Sequence, residues 1–303
     1  MKFIIQSKTC IFARNYTGNG KIMNLKPEDA QKRLITMRKL IVLMAIIFLA
    51  SCSEYQKVLK STDYGYKFEK ALEYYDEGDY TRASTLLQEL ISVFMGTDRA
   101  EEAHYKYAYA LYKMRDYITS VYHFKEFVKR YPNSEYIEDA RFMIGVNYYY
   151  LSPNPRLDQT DTYNAIEAFE LFMNLYPDSP KVEEANKMVE ELRNKLVFKS
   201  YLNAKLYYNL GTYLGNNYQA AVITARNSLD DFPDTKYREE LSFLILDSLY
   251  IQAVNSVPEK EEERLRRTLD EYYAFINEFP ESSYLKQANK IFEEVTKLLK
   301  KYN

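Results

Sequence analysis

The sequence predicts an all-α solenoid of paired helices, on three observations. A six-residue phrase recurs four times: YPNSEY at Tyr131, YPDSPK at Tyr176, FPDTKY at Phe232 and FPESSY at Phe279. Its prolines, Pro132, Pro177, Pro233 and Pro280, lie 45, 56 and 47 residues apart, a spacing typical of stacked helical repeats. The chain also holds only 8 Gly and 9 Pro in 303 residues, too few for the many tight turns of a sheet-rich fold.

Each phrase is expected to close one helix and open the next. Proline stops the helix before it, and the Ser or Thr two residues on is a good N-cap for the helix that follows. Before each proline, small or apolar residues recur at offsets 0, 4, 7 and 12: Ser120, Phe124, Phe127 and Pro132; Ala165, Phe169, Phe172 and Pro177; Ala221, Ala225, Ser228 and Pro233; Thr268, Tyr272, Phe275 and Pro280. An earlier copy has Ala83, Leu87 and Leu90, with Met95 in the proline's place. The i, i+4, i+7 pattern is one face of a helix. A turn with an aromatic precedes the small residue: GDY at Gly78–Tyr80, RDY at Arg115–Tyr117 and NNY at Asn216–Tyr218.

These offsets resemble the tetratricopeptide repeat, whose second helix packs a small residue tightly on the first. The first-helix partner falls 12 residues earlier in copies one and two, at Ala71 and Ala108. In copy three it is Gly145, 20 residues before Ala165, with a loop in Ser152–Thr160 absorbing the difference. Copies four and five fit this rule only loosely. Five degenerate copies span about Asp63 to Lys300.

The N-terminal fifth has a different character. Met37 to Ser53 reads MRKLIVLMAIIFLASCS: Arg38 and Lys39, an apolar run from Leu40 to Leu49, then small residues before Cys52. This order is that of a secretory signal, and the run is too short to span a bilayer. Its end resembles a bacterial lipobox, which implies lipidation of Cys52 and removal of what precedes it. The expected organisation is therefore 1–36 as an upstream extension, with translation starting at Met37; 37–51 as signal; 52–62 as lipid-anchored linker; and 63–303 as repeats. The only other cysteine is Cys10, so no disulfide is expected in the mature chain.

Composition excludes several classes. A net charge of −2 is unlike the strongly basic footprint of a nucleic-acid binder. No glycine-rich phosphate loop, HExxH or GxSxG motif occurs, and no enzyme activity, cofactor or metal is expected. His104 and His123, the two histidines, lie 19 residues apart on different expected helices and read as ordinary core or surface residues. The acids Glu101 and Glu102, and those between Glu259 and Glu263, suit helix starts, where carboxylates meet the positive end of the dipole.

The chain has 31 Tyr and no Trp. In a tetratricopeptide solenoid the groove is lined by the first helix at six and three residues before, and one and four after, the packing residue. Those positions place Phe68, Tyr75, Tyr105, Tyr109, Tyr112, Phe142 and Tyr149 in an expected peptide-binding groove, with Arg141 at its edge. Aromatic rings with few rotors lose little entropy on binding and serve as interface anchors.

Lipobox, short tether, five degenerate repeats, YPxS-type endings and the early GDYxxA motif together resemble the BamD (ComL/YfiO) family of outer-membrane β-barrel assembly lipoproteins. The resemblance implies a lipid anchor on the outer membrane, facing the periplasm. It implies N-terminal repeats (63–197) that engage unfolded outer-membrane proteins, and C-terminal repeats (198–303) that dock on the POTRA domains of a BamA-like insertase. Arg226, Lys236 and Arg238 are candidates for that docking. Another periplasmic repeat adaptor and a nutrient-uptake lipoprotein are the alternatives; the latter normally stacks sugars on Trp, which this chain lacks.

Overall fold

A computed structural model of the chain describes residues 36–38, 54–213 and 215–302. The chain divides into two compact units, Met1–Asp63 and Tyr64–Asn303. In the first, 36–38 and 54–59 are helical. Cys52, the body of the signal and the upstream segment lie outside the described residues. No described helix is long and apolar enough to cross a membrane.

The second unit is a run of antiparallel helix pairs without a strand among the described residues. The pairs are α1 (Tyr64–Asp76) with α2 (Tyr80–Val93), α3 (Arg99–Lys113) with α4 (Tyr117–Arg130), and α5 (Ile137–Leu151) with α6 (Thr160–Leu175). Next come α7 (Val182–Leu210) with α8 (Asn217–Asp231), and α9 (Arg238–Val254) with α10 (Pro258–Glu278). A last helix, α11 (Leu285–Leu299), covers the end. These are the five expected repeats plus a cap, which a solenoid needs to close its exposed hydrophobic face.

The recurring phrase does more than punctuate. Its first residue ends a helix at Tyr131, Tyr176, Phe232 and Phe279, each N–H still donating four residues back. The Ser or Thr differs from the expected N-cap. It stands two residues ahead of the cap, and its hydroxyl accepts from the N–H two positions on: Ser134 from Tyr136, Ser179 from Lys181, Thr235 from Tyr237, Ser282 from Tyr284. The proline excludes a helix at the residue before it, so the chain needs this extra turn before re-entering one. Two of the hydroxyls also donate, Ser179 to Glu138 at 2.5 Å and Ser282 to Glu239 at 2.6 Å. Each such bond ties the exit of a repeat to its own entrance. The turns inside the first two repeats are capped by Asp79 and Asp116, and inside the fourth by Asn216. Asn216 lies one residue further from its packing alanine than Asp79 does, so the NNY of the sequence is better aligned as Gly215-Asn216-Asn217. Arg115 carries the positive φ (64°) that Gly78 (81°) adopts in the first turn.

Packing explains the first helices. Ala71, Ala108, Gly145, Ala204 and Leu246 are the buried residues at the crossing of each pair. Three residues before each stands an aromatic, and it always meets a residue at the junction between the connector and the next first helix. Tyr105 stacks on Tyr136 at 4.4 Å, Tyr201 on Tyr237 at 4.4 Å and Phe243 on Tyr284 at 4.5 Å. Where the junction residue is a cation the contact is cation–π: Arg99 at 5.9 Å from Phe68 and Lys181 at 5.4 Å from Phe142. The crossing residue follows that junction residue (Arg99, Tyr136 and Tyr237) by nine positions at Ala108, Gly145 and Leu246. In the fourth repeat the ninth position after Lys181 is Glu190, yet the crossing residue is Ala204, fourteen further on. Helix α7 takes up those residues. Its first half (Ala185, Val189, Leu192) completes the core of the second and third repeats, and its second half (Tyr201, Ala204) builds the next core with α8 and α9. A third cluster joins α9, α10 and α11.

Candidate functional site

Along the first helices, tyrosines reach carboxylates on the next layer. Tyr105 donates to Asp139, Tyr149 to Glu191, Tyr201 to Glu240, Tyr208 to Asp247 and Tyr250 to Glu294. A phenol donating to a carboxylate is a charge-assisted bond. Burial and then the Asp139 bond push the Tyr105 hydroxyl well above its ordinary range; at Tyr149 the Glu191 bond leads and raises it to about 12. These donors stay protonated at neutral pH. Lysines join the same ladder: Lys181 on Asp139, and Lys205 on Glu240 at 3.0 Å.

The ladder is missing at the N-terminal end. The hydroxyls of Tyr75 and Tyr109 have no hydrogen-bond partner among the described residues. Instead their rings form a continuous strip. Tyr75 meets Tyr80 at 5.5 Å and Tyr109 at 6.4 Å, and Tyr109 meets Tyr112 at 5.7 Å. Tyr112 lies 6.0 Å from Tyr150, which stacks on Tyr117 at 5.0 Å. Two cations sit on the strip, Lys106 at 4.5 Å from the Tyr75 ring and Lys113 at 5.3 Å from that of Tyr109. Lys113 has no ion-pair partner among the described residues, and the carboxylate of Glu102 is 3.9 Å from Lys106. The arrangement offers rings, unpaired phenol donors and positive charge on one surface.

The seven expected groove residues divide accordingly. Tyr75, Tyr109 and Tyr112 belong to the strip. Tyr105 and Tyr149 are half-buried, with hydroxyls committed to the ladder. Phe68 and Phe142 are each only 5 % exposed; they sit under the junction cations, so they are core residues and a correction to the groove reading. Tyr80, Tyr117 and Tyr150 were not among the expected residues. The first two lie in the GDY and RDY turns, and only the fold reveals that those turns bring their rings to the first helices.

The three cations expected to dock a partner are largely engaged within the chain. Arg226 bonds Glu271 at 2.6 Å across α8 and α10. Arg238 pairs with Glu278 and donates to the Pro233 carbonyl at 2.9 Å. Lys236 has no carboxylate partner among the described residues; it rests 5.2 Å from the Tyr237 ring and lines a cleft of about 660 Å³ bounded by α6, α7 and the α8–α9 turn.

The histidines, far apart in sequence, are brought together. His123 Nδ1 lies 3.4 Å from His104 Nε2, with the rings edge-to-face at 5.5 Å. Burial first, then His123 and Arg130, lowers the His104 pKa to about 4. Among the described residues no group of three or more His, Cys, Asp or Glu is placed to hold a metal.

The chain is similar in sequence to proteins of one kind. It is 26 % identical over 260 residues to a putative outer membrane protein assembly factor BamD of Aquifex aeolicus, covering 85 % of this chain and 81 % of the relative. It is 25 % identical over 222 residues to outer membrane protein assembly factor BamD of Neisseria meningitidis, covering 70 % and 78 %. The Pasteurella multocida protein of that name is 25 % identical over 169 residues, covering 52 % and 63 %. The family model described as YfiO, outer membrane lipoprotein, matches residues 63–245, from the first helix pair into the fifth. With a fold of stacked helix pairs and a family match over more than half its length, the chain belongs to the YfiO family of outer membrane lipoproteins.

Proposed function

We propose that this protein is a non-catalytic scaffold of outer-membrane β-barrel assembly, anchored by lipid at Cys52 and facing the periplasm. Its N-terminal repeats, 63–197, take the aromatic segments of unfolded outer-membrane proteins. Its repeats from 198 to 303 dock on a BamA-like insertase, so that a nascent strand is held beside the machine that inserts it. No covalent step is needed: the work is capture and positioning.

One observation carries this reading. The tyrosine–carboxylate ladder runs from Tyr105 onward, whereas Tyr75, Tyr109 and Tyr112 of the first two repeats donate to no carboxylate among the described residues and carry Lys106 and Lys113. An extended peptide with aromatic side chains and a carboxylate end finds stacking faces, phenol donors and the unpaired Lys113 ammonium there, with Lys106 held only by Glu102 at 3.9 Å. Arg226 and Arg238 would have to exchange Glu271 and Glu278 for a partner's acids, whereas Lys236 is available as it stands.

The test is photo-crosslinking of a peptide from the C-terminal end of an outer-membrane barrel to the full chain. Tyr109→Ala with Tyr112→Ala should cut crosslinking and leave helicity and membrane attachment intact; unchanged crosslinking would remove the strip from the site. Mild detergent extraction of the tagged protein should recover a large barrel protein with periplasmic POTRA domains in near-equal amount. Recovery of a sugar transporter or division proteins in its place would refute the assembly role.

A further inference from the structure

We propose that His104 and His123 form a two-imidazole site for a soft monovalent d10 cation, of the Cu(I) or Ag(I) class. The chain's two histidines come from facing helices, α3 and α4, and place Nε2 of one against Nδ1 of the other at 3.4 Å. Two neutral imidazoles at that separation share one bridging proton on the line between their lone pairs. A d10 cation that accepts two ligands in a near-linear arrangement enters on the same line once the rings part to about 4 Å, room for two metal–nitrogen bonds of about 2 Å each. When it enters, the bridging proton moves to the outer nitrogen of its own ring, so both rings stay neutral and the cation keeps its single charge.

The surroundings select the class. Zinc in proteins takes four ligands, or three and a water, and no third His, Cys, Asp or Glu among the described residues completes such a set here. Hard cations require several oxygen ligands. The walls are instead aromatic and polarisable: Tyr107 at 4.7 Å and Tyr122 at 5.0 Å from His123, and Phe127 and Tyr131 at 5.8 and 6.0 Å from His104. Imidazole among polarisable rings suits copper over magnesium or calcium, and the site is open on the side of Tyr122, which is 59 % exposed. His104 is 3 % exposed while His123 is half-buried, so the cation enters past His123. The strip tyrosines take no part, and the site stands or falls independently of peptide capture.

The experiment uses the full chain with Cys10→Ser and Cys52→Ser, which removes the thiols that would compete for a soft cation. Ag(I) is added while long-range proton–nitrogen spectra follow the imidazole nitrogens, and Cu(I) binding is measured in competition with bicinchoninate. One equivalent of Ag(I) should shift His104 Nε2 and His123 Nδ1 together, and His123→Gln should abolish both that shift and the Cu(I) competition. Absence of a shift, a shift confined to the outer nitrogen of His123, or Cu(I) competition unchanged in His123→Gln would each overturn the site. Zn(II) competing as strongly as Cu(I) would overturn the class. Far-ultraviolet circular dichroism checks each variant. Should His104→Gln fail to fold, the half-buried His123→Gln decides alone.

Discussion

The Tyr105 hydroxyl, on the first helix of the second repeat, donates to Asp139 on the first helix of the third, while the Tyr105 ring lies flat on Tyr136. One side chain thus fixes both the spacing and the rotation of adjacent layers. Tyr105→Phe keeps the stack and removes the bond to a charged acceptor, a loss of about 1–2 kcal/mol. Tyr109→Phe, which removes a hydroxyl without a partner, should be neutral to within about 0.5 kcal/mol. Urea denaturation of the two variants compares them directly.

Gly145 makes a tight crossing. A Cβ built there would meet Phe169 ring atoms at 2.6 Å, and that ring is fully buried. Gly145→Ala gains about 1 kcal/mol of helix propensity but forces a close-packed aromatic to move, which costs about 1–3 kcal/mol. The net effect should be a lower thermal midpoint. Phe169→Leu, by making room, should reduce the penalty of Gly145→Ala in a double-mutant cycle.

Acid should weaken the second repeat. His104 titrates near pH 4 in the folded chain and near its ordinary 6.5 when unfolded. The unfolded state therefore takes up a proton first, and stability falls as pH drops from 6.5 to 4 and levels off below. The loss is about 3 kcal/mol if the whole shift is expressed; His123, lowered mainly by burial, acts in the same direction. Denaturation midpoints between pH 4 and 7.5 should show this slope, and His104→Phe should flatten it. An identical slope in that variant would assign the acid sensitivity to other groups.

The serine hydroxyls that close repeats three and five should matter beyond their turns. Ser179→Ala and Ser282→Ala each lose an acceptor for a backbone N–H and a donor to Glu138 or Glu239. A cost of about 1–2 kcal/mol is expected for each, measured by guanidinium unfolding. Ser134→Ala, whose hydroxyl accepts from Tyr136 and donates to no such acid among the described residues, should cost less.

The parts readable from sequence were those with fixed spacing. Second helices keep the 0, 4, 7, 12 pattern because each must bury the same face and stop at the same proline. First helices four and five escaped the pattern for two reasons. Helix α7 gained its extra residues in mid-helix, where no Gly or Pro marks the insertion, and the crossing residue of the fifth repeat is Leu246, so a search for a small side chain passes over it. The groove was half readable. Position relative to the crossing residue picked out Tyr75, Tyr109 and Tyr112, which form one strip, but also Phe68 and Phe142, which lie under a cation and are buried. Likewise, whether a tyrosine hydroxyl is committed depends on an acid roughly one repeat away, which local spacing does not disclose.

Helix α7 has a consequence for the phase of the scaffold. Fourteen added residues are close to four turns, about 21 Å of rise, and return the side chains to within about 40° of their starting azimuth. An insertion of twelve or sixteen would point the later tyrosines away from the earlier ones. This one acts as a spacer that sets the tyrosines of the third and fourth repeats further apart along one strut while leaving them on nearly the same side of it.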